Sequence, residues 1–103
     1  MDGNIHAACL CGDVRIAAAL PSLWSAHCHC SPCRRAHGAA YVTWIGFRAG
    51  GCRFVDPHDR LRWFASSPGA ERGLCSRCGS SLAFRSERWP GELHLTLPDP
   101  GST

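Results

Sequence analysis

Hydrophobic positions along the chain come in short runs that are separated by Gly, Pro, Ser and Asp. The clearest run is the last one, where Leu93, Leu95 and Leu97 alternate with His94 and Thr96, a period-two pattern that predicts a half-buried strand. Other short runs, among which 41–47 is rich in β-branched and aromatic residues, predict further strands. The predicted strands cover residues 14–16, 41–47, 52–55, 61–64, 82–84 and 93–97.

Helical periodicity is confined to one short segment. Pro32 suits the first turn of a helix and Gly38 suits its end, so one helix is predicted over residues 33–37. The rest of the pattern predicts a mainly β fold, in which antiparallel sheets are joined by short loops. Residues 98–103 are expected to fray.

The length of 103 residues predicts a single domain that spans 1–103. The hydrophobic fraction of 45% includes eight cysteines, so the core is thin and cross-links by metal or disulfides are expected. No run reaches the roughly 18 apolar residues of a membrane span. The first residues also lack the basic and apolar regions of a secretory signal. We therefore expect a cytoplasmic protein that does not enter a membrane.

The charge balance becomes weaker once the thiols are considered. All 11 basic residues are Arg, and the formal net charge is +3. If seven cysteines bind two Zn²⁺ ions as thiolates, the net charge falls to about zero. The basic balance is therefore a weak indication of an anionic partner and argues against nucleic acid.

Cysteine is the most unusual feature of the composition, with eight residues in the chain. Disulfide frameworks spread their cysteines, whereas metal sites bunch them, because one ion must gather several sulfurs at about 2.3 Å. Bunching and the missing export signal favour metal sites over disulfides. Seven of the eight fall in three tight clusters: Cys9 and Cys11; Cys28, Cys30 and Cys33; Cys75 and Cys78.

Two of these clusters are two-sulfur clamps. Cys75 and Cys78 are separated by two residues and followed by Gly79, which permits a tight turn with positive φ. Cys9 and Cys11 share one face of an extended segment. Together they predict a closed four-cysteine zinc site, which supports structure and leaves no position for a substrate. The alternative is that these residues are buried free thiols.

The middle cluster brings three sulfurs together within six residues. Cys28, Cys30 and Cys33 would leave a fourth zinc position for water or substrate, as catalytic zinc sites do. The spacing equally allows His27, His29 or a distant histidine to close the site and make it structural. Arg34 and Arg35 lie at the edge of the cluster and either hold a substrate carboxylate or balance thiolate charge.

Other reactive residues are scattered and receive no role. Cys52 is the one unclustered thiol, and most single cysteines are small buried hydrophobic residues. No general base is identifiable, although His27, His29 and His37 are near the middle cluster. Four isolated histidines and four tryptophans are interpreted as ordinary surface or core residues: His6, His37, His58, His94, Trp24, Trp44, Trp63 and Trp89.

Three motifs in this order, C-L-C-G, C-H-C-S-P-C-R-R-A-H-G and S-S-P-G-A-E-R-G-L-C-S-R-C-G-S-S-L, resemble the glutathione-dependent formaldehyde-activating enzyme family, which is related to centromere protein V. The resemblance covers about 9–82, with a looser match at 97–100. It implies an Mss4-like fold of antiparallel sheets with one short helix, held together by two zinc ions. It also implies that Cys9, Cys11, Cys75 and Cys78 bind a structural zinc, whereas Cys28, Cys30 and Cys33 bind a catalytic zinc.

The function implied by the resemblance is that of a carbon–sulfur lyase. Such an enzyme interconverts glutathione plus formaldehyde with S-hydroxymethylglutathione, so the implied partner is a small-molecule thiol such as glutathione. One alternative is a non-catalytic zinc module that binds protein or nucleic acid through arginines 34, 35, 60, 62 and 72. A more distant alternative is a thiol–disulfide enzyme.

Overall fold

The computed structural model describes residues 3–96, which form nine β-strands, one α-helix and a short 3₁₀ turn at Ala49–Gly51. All strand pairs are antiparallel. In chain order the elements are β1 (Asn4–Ala8), β2 (Arg15–Ala19), β3 (Trp24–Cys28), α1 (Ser31–His37), β4 (Val42–Arg48), β5 (Cys52–Val55), β6 (Leu61–Ser67), β7 (Ala70–Cys75), β8 (Ser81–Ser86) and β9 (Glu92–Leu95).

The strands form two sheets with a shared hydrophobic core. The smaller sheet has the order β1-β2-β5, and the larger has the order β3-β4-β9-β8-β7-β6. Val14 and Ile16 from the β2 side pack with Phe47, Leu82 and Leu95 of the larger sheet, and all five are at most 1% exposed. The opposite face of the larger sheet carries a second, smaller cluster around Trp44.

Strand β9 shows how the alternation predicted for residues 93–97 is used. Leu93 and Leu95 enter the main core, as predicted, while Leu97 lies outside the described residues. His94, on the other face of the strand, is also buried, with 4% exposure. Aromatic rings cover it, so the strand is buried on both faces rather than half-buried.

The predicted helix is confirmed and begins slightly earlier, at Ser31. Gly38 ends it with a φ of 60° in the left-handed region, and its N–H donates to the carbonyl of Arg34. The predicted strands are present with small changes in their ends. Strands β1, β3 and β7 lie in segments without a predicted strand, because their sequences, NIHAA, WSAHC and AERGLC, are short or mixed in polarity.

None of the helices formed by residues 3–96 combines the length and apolar character that a membrane crossing requires. The tail at 98–103 lies outside the described residues. Although X-Pro bonds are usually trans, the bond between Leu20 and Pro21 is cis.

Candidate metal centres and the cleft beside them

The two predicted clamps meet in space. The sulfur atoms of Cys9, Cys11, Cys75 and Cys78 all lie within 4.8 Å of one another. Two separations are 3.6 Å, from Cys9 to Cys11, and 3.8 Å, from Cys11 to Cys75. A zinc ion with sulfur ligands at about 2.3 Å requires edges of about 3.8 Å, so this donor set fits tetrahedral zinc.

Tight turns hold the clamps in place. In the β1–β2 turn, the N–H of Gly12 donates to the carbonyl of Cys9, and the N–H of Val14 contacts the Cys9 sulfur at 3.3 Å. In the β7–β8 turn, the N–H of Gly79 donates to the carbonyl of Cys75. Gly12 and Gly79 have φ values of 82° and 81°, which glycine adopts without strain, as predicted for Gly79.

The third cluster lies between β3 and α1. Cys28 ends the strand, Cys30 is the N-cap of the helix, and Cys33 is buried in its first turn. The Cys28 sulfur lies 3.2 Å from that of Cys30 and 3.4 Å from that of Cys33. Among residues 3–96, no other His, Cys, Asp or Glu joins these three within the 4.8 Å grouping. All eight cysteines fall in this described range, and all are free thiols.

The pKa values of two clustered thiols show why these sulfurs would need a divalent cation to ionise together. A backbone hydrogen bond at Asp13 opposes the effect, but desolvation and the neighbouring thiols raise the pKa of Cys11 to about 11. At Cys28, a backbone hydrogen bond at Cys30 is likewise outweighed, and desolvation with the adjacent thiols raises the pKa to about 11. Crowded sulfurs therefore resist full ionisation by themselves. A bound Zn²⁺ ion would remove that resistance, because metal coordination deprotonates thiols.

Arg72 supplies a positive charge to the three-sulfur cluster. Its Nη2 donates to the Cys33 sulfur at 3.7 Å. Burial opposes ionisation of Cys33, but hydrogen bonds from Cys30, Trp44 and Arg72 outweigh it, and the pKa of Cys33 is lowered. Arg34 and Arg35, the arginines that the sequence placed beside this cluster, are exposed on α1. The charge at the sulfurs thus comes from β7, from a residue 39 positions away along the chain.

A cleft of about 560 Å³ opens beside the three sulfurs. A row of cross-strand partners runs across the larger sheet beneath the cleft. Trp24 pairs with Gly46, and Gly46 pairs with His94. His94 also pairs with Phe84, and Phe84 pairs with Arg72. The row joins five strands and ends at the arginine that contacts Cys33. Aromatic side chains from several elements line the cleft together with these sulfurs: Trp24, Trp44, Phe84, Trp89 and His94.

An acidic side chain ties two of these aromatic groups together. Oε1 of Glu92 accepts a hydrogen bond from Nε1 of Trp24 at 3.0 Å and contacts Nε2 of His94 at 3.1 Å. These hydrogen bonds, the Trp24 bond first, lower the pKa of Glu92. No motif distinguished Glu92 or His94 in the sequence. The only signal in the sequence is that these two polar residues alternate with leucines. The structure adds that the second face of this strand is also buried.

The remaining candidate residues are dispersed, except that His27 lines the cleft beside the three sulfurs. His27 and His29 both contact the ring of Tyr41, with centroid distances of 5.0 and 5.4 Å. Cys52 packs against the main core, away from the three-sulfur cluster. Three of the arginines suggested as a binding face have intramolecular partners: Arg60 pairs with Asp13, Arg62 with Asp59, and Arg72 with Cys33.

Comparison with known proteins identifies the family. The family model described as glutathione-dependent formaldehyde-activating enzyme matches residues 4–99. The chain belongs to this family. A Halomonas elongata protein is 32% identical to the chain over 97 residues. That protein is provisionally named a glutathione-dependent formaldehyde-activating enzyme. That match covers 87% of the chain and 61% of the relative, so the chain spans about three fifths of the relative's length.

A solved structure supports the same fold. A Rhodobacter sphaeroides protein, determined by crystallography in a structural genomics programme, superposes with a TM-score of 0.73 at 24% identity. The superposition covers 89% of the chain and 84% of that protein. The family, predicted from the three cysteine motifs, and the mainly β antiparallel fold with one helix are therefore confirmed. The cysteine clusters could hold metal ions, and together with the family they are consistent with a zinc-binding protein.

Proposed function

We propose that this protein is a zinc-dependent carbon–sulfur lyase that joins a small thiol, such as glutathione, to formaldehyde and catalyses the reverse cleavage. The observation that carries the proposal is the position of Cys28, Cys30 and Cys33. They converge at the wall of an aromatic cleft, and no fourth side-chain ligand joins them among residues 3–96. The family to which the chain belongs supports the choice of thiol and aldehyde.

The two cysteine clusters have different roles in this proposal. Cys9, Cys11, Cys75 and Cys78 would hold a structural zinc, because their four sulfurs complete a tetrahedral donor set. Cys28, Cys30 and Cys33 would hold the second zinc. When bound there, that ion supplies a soft coordination position suited to a thiolate sulfur, while three anionic ligands make it a weak activator of water.

The residues around the cleft bind and orient the reactants. Arg72 stabilises the anionic sulfurs through its contact with Cys33, and Phe84 lies beneath its guanidinium at 5.1 Å. Trp24, Trp44 and Trp89 give the cleft apolar walls that reduce the access of water. In the forward reaction a sulfur–carbon bond forms, the carbonyl π electrons move to oxygen, and the thiol proton ends on that oxygen. The reverse reaction breaks the same bond.

The test is the rate of S-hydroxymethylglutathione formation by purified, zinc-loaded protein, measured against the uncatalysed reaction of glutathione with formaldehyde. We expect a rate above the uncatalysed one that disappears in Cys30→Ser. Cys52→Ser is the matched control, because Cys52 is a partly buried thiol outside both clusters, and it should retain the wild-type rate. A wild-type rate equal to the uncatalysed one would overturn the proposal.

A further inference from the structure

His94 has the surroundings of a group that exchanges protons. The residue is 4% exposed, and Nε2 lies 3.1 Å from Oε1 of Glu92. Three aromatic rings surround it, with centroid distances of 4.5 Å to Trp24, 5.3 Å to Trp89 and 5.8 Å to Phe84. Packing and the carboxylate together fix the orientation of the imidazole. A histidine on the surface would lack this constraint.

The carboxylate also determines which ring nitrogen carries hydrogen. An ionised carboxylate only accepts hydrogen bonds, so Nε2 must donate to Glu92. In the neutral imidazole, Nδ1 is then the nitrogen with the free lone pair. Nδ1 has no hydrogen-bond partner within the part of the chain that the structure describes, and its ring lines the cleft that contains the three clustered sulfurs.

Glu92 is the charged partner that the structure places against His94. The carboxylate is on the same strand and in direct contact. Trp24 on β3 and Phe84 on β8 are uncharged, and two arginines stack over rings that contact the imidazole. Arg72 of β7 stacks over Phe84, and Arg88 stacks over Trp89, each at 5.1 Å. An imidazolium formed at His94 would therefore be stabilised by its carboxylate partner.

We propose that Nδ1 of His94 accepts the proton that a thiol loses on binding in the cleft and returns it to the oxygen of the aldehyde adduct. In the forward direction the S–H bond breaks and an N–H bond forms. The sulfur then bonds to the carbonyl carbon, the π electrons move to oxygen, and the N–H proton completes the hydroxyl group. Atoms and charge balance without another reactant. This inference rests on the proposed function and makes His94 its general acid and base.

The experiment measures protons rather than turnover. Zinc-loaded protein is titrated with glutathione at about pH 8, where free imidazoles are mostly neutral and free thiols mostly protonated. Calorimetry in buffers of different ionisation enthalpy gives the number of protons released to buffer per thiol bound. We expect His94→Gln to release about one proton more per thiol than the wild type, because the internal acceptor is missing.

Two variants complete the design. His58→Gln is the matched control, since His58 is exposed in the β5–β6 loop, and it should release the wild-type number of protons. Glu92→Gln keeps an amide oxygen for the Trp24 bond but removes the charge that stabilises the imidazolium, so it should release more protons than the wild type. This variant also provides a test in case His94→Gln does not fold.

The outcomes separate the two claims. Thiol binding with equal proton release in the wild type, His94→Gln and Glu92→Gln would overturn the role of His94 and leave the proposed function standing. If His94→Gln does not fold, equal release in the wild type and Glu92→Gln overturns that role. Absence of thiol binding in the wild type would overturn both.

Discussion

At the scale of single residues, the surroundings of a side chain decide its chemistry more than its type does. Cys28 and Cys33 belong to the same cluster, yet the pKa of Cys28 is raised to about 11 and that of Cys33 is lowered. The difference follows from the partners of each sulfur, because Cys30, Trp44 and Arg72 hydrogen-bond to Cys33, whereas desolvation and the adjacent thiols act on Cys28. The same cluster thus contains one thiol with a lowered pKa and one with a raised pKa.

Arg72→Gln is expected to raise the pKa of Cys33 and weaken zinc binding at the three-sulfur cluster by about tenfold, the range seen when groups that support metal ligands are removed. Competition with a chromophoric chelator measures the zinc affinity of the three-sulfur cluster. Arg62→Gln is the control, since Arg62 is exposed and pairs with Asp59. Unchanged zinc affinity in Arg72→Gln would contradict the role given to this arginine.

Zinc uptake is expected to release protons and to strengthen as the pH rises. Cys11 and Cys28 have pKa values of about 11 in the metal-free protein, so both are protonated at neutral pH and must lose their protons to bind metal. The apparent affinity should therefore increase with pH until these thiols ionise. Zinc titrations with a pH indicator at several pH values provide the check, and a pH-independent affinity would contradict the expectation.

At the scale of elements, β4 and β9 each have one face in the main core and the other face at the cleft. Phe47 and Leu95 face the main core, whereas Trp44 and His94 face the cleft. Gly46 makes the arrangement on β4 possible, because a Cβ at this position would overlap the indole of Trp24. A glycine in a buried strand therefore marks the place where another side chain crosses over it.

Gly46→Ala is expected to destabilise the protein by about 1–3 kcal/mol, the usual cost of overpacking, and to break the hydrogen bond from Trp24 to Glu92. Denaturant unfolding measures the first effect, and the tryptophan emission spectrum measures the second. Gly50→Ala provides the control, since nothing lies within 4 Å of the added Cβ there. Equal stability of the two variants would show that the indole can move without cost.

At the scale of the whole molecule, the two cysteine clusters connect different parts of the fold. Cys9 and Cys11 lie in the turn of the smaller sheet, and Cys75 and Cys78 lie in a turn of the larger one. An ion there would join the two sheets. Cys28, Cys30 and Cys33 come from one continuous segment at the edge of the larger sheet, so an ion there closes only a short loop.

Cys75→Ser is therefore expected to destabilise the protein by about 4 kcal/mol or more, because the residue is fully buried and its zinc would contribute folding free energy. Cys30→Ser should lose one zinc ion per chain and remain folded. Thermal unfolding with metal analysis by mass spectrometry tests both variants against wild-type protein with about two zinc ions. Equal loss of stability in both variants would contradict separate structural and catalytic roles.

The sequence alone determined the features that depend on neighbours along the chain. Cysteines two or three residues apart indicated the metal clamps, Gly79 indicated the turn of one clamp, and alternation indicated most of the strands, because each pattern lies within a few residues. Only the tertiary structure decided the cleft. The strand order β3-β4-β9-β8-β7 places five residues in one row beneath it: Trp24, Gly46, His94, Phe84 and Arg72. That order follows from pairing between strands that are far apart in the sequence, such as β4 with β9, which no local pattern encodes.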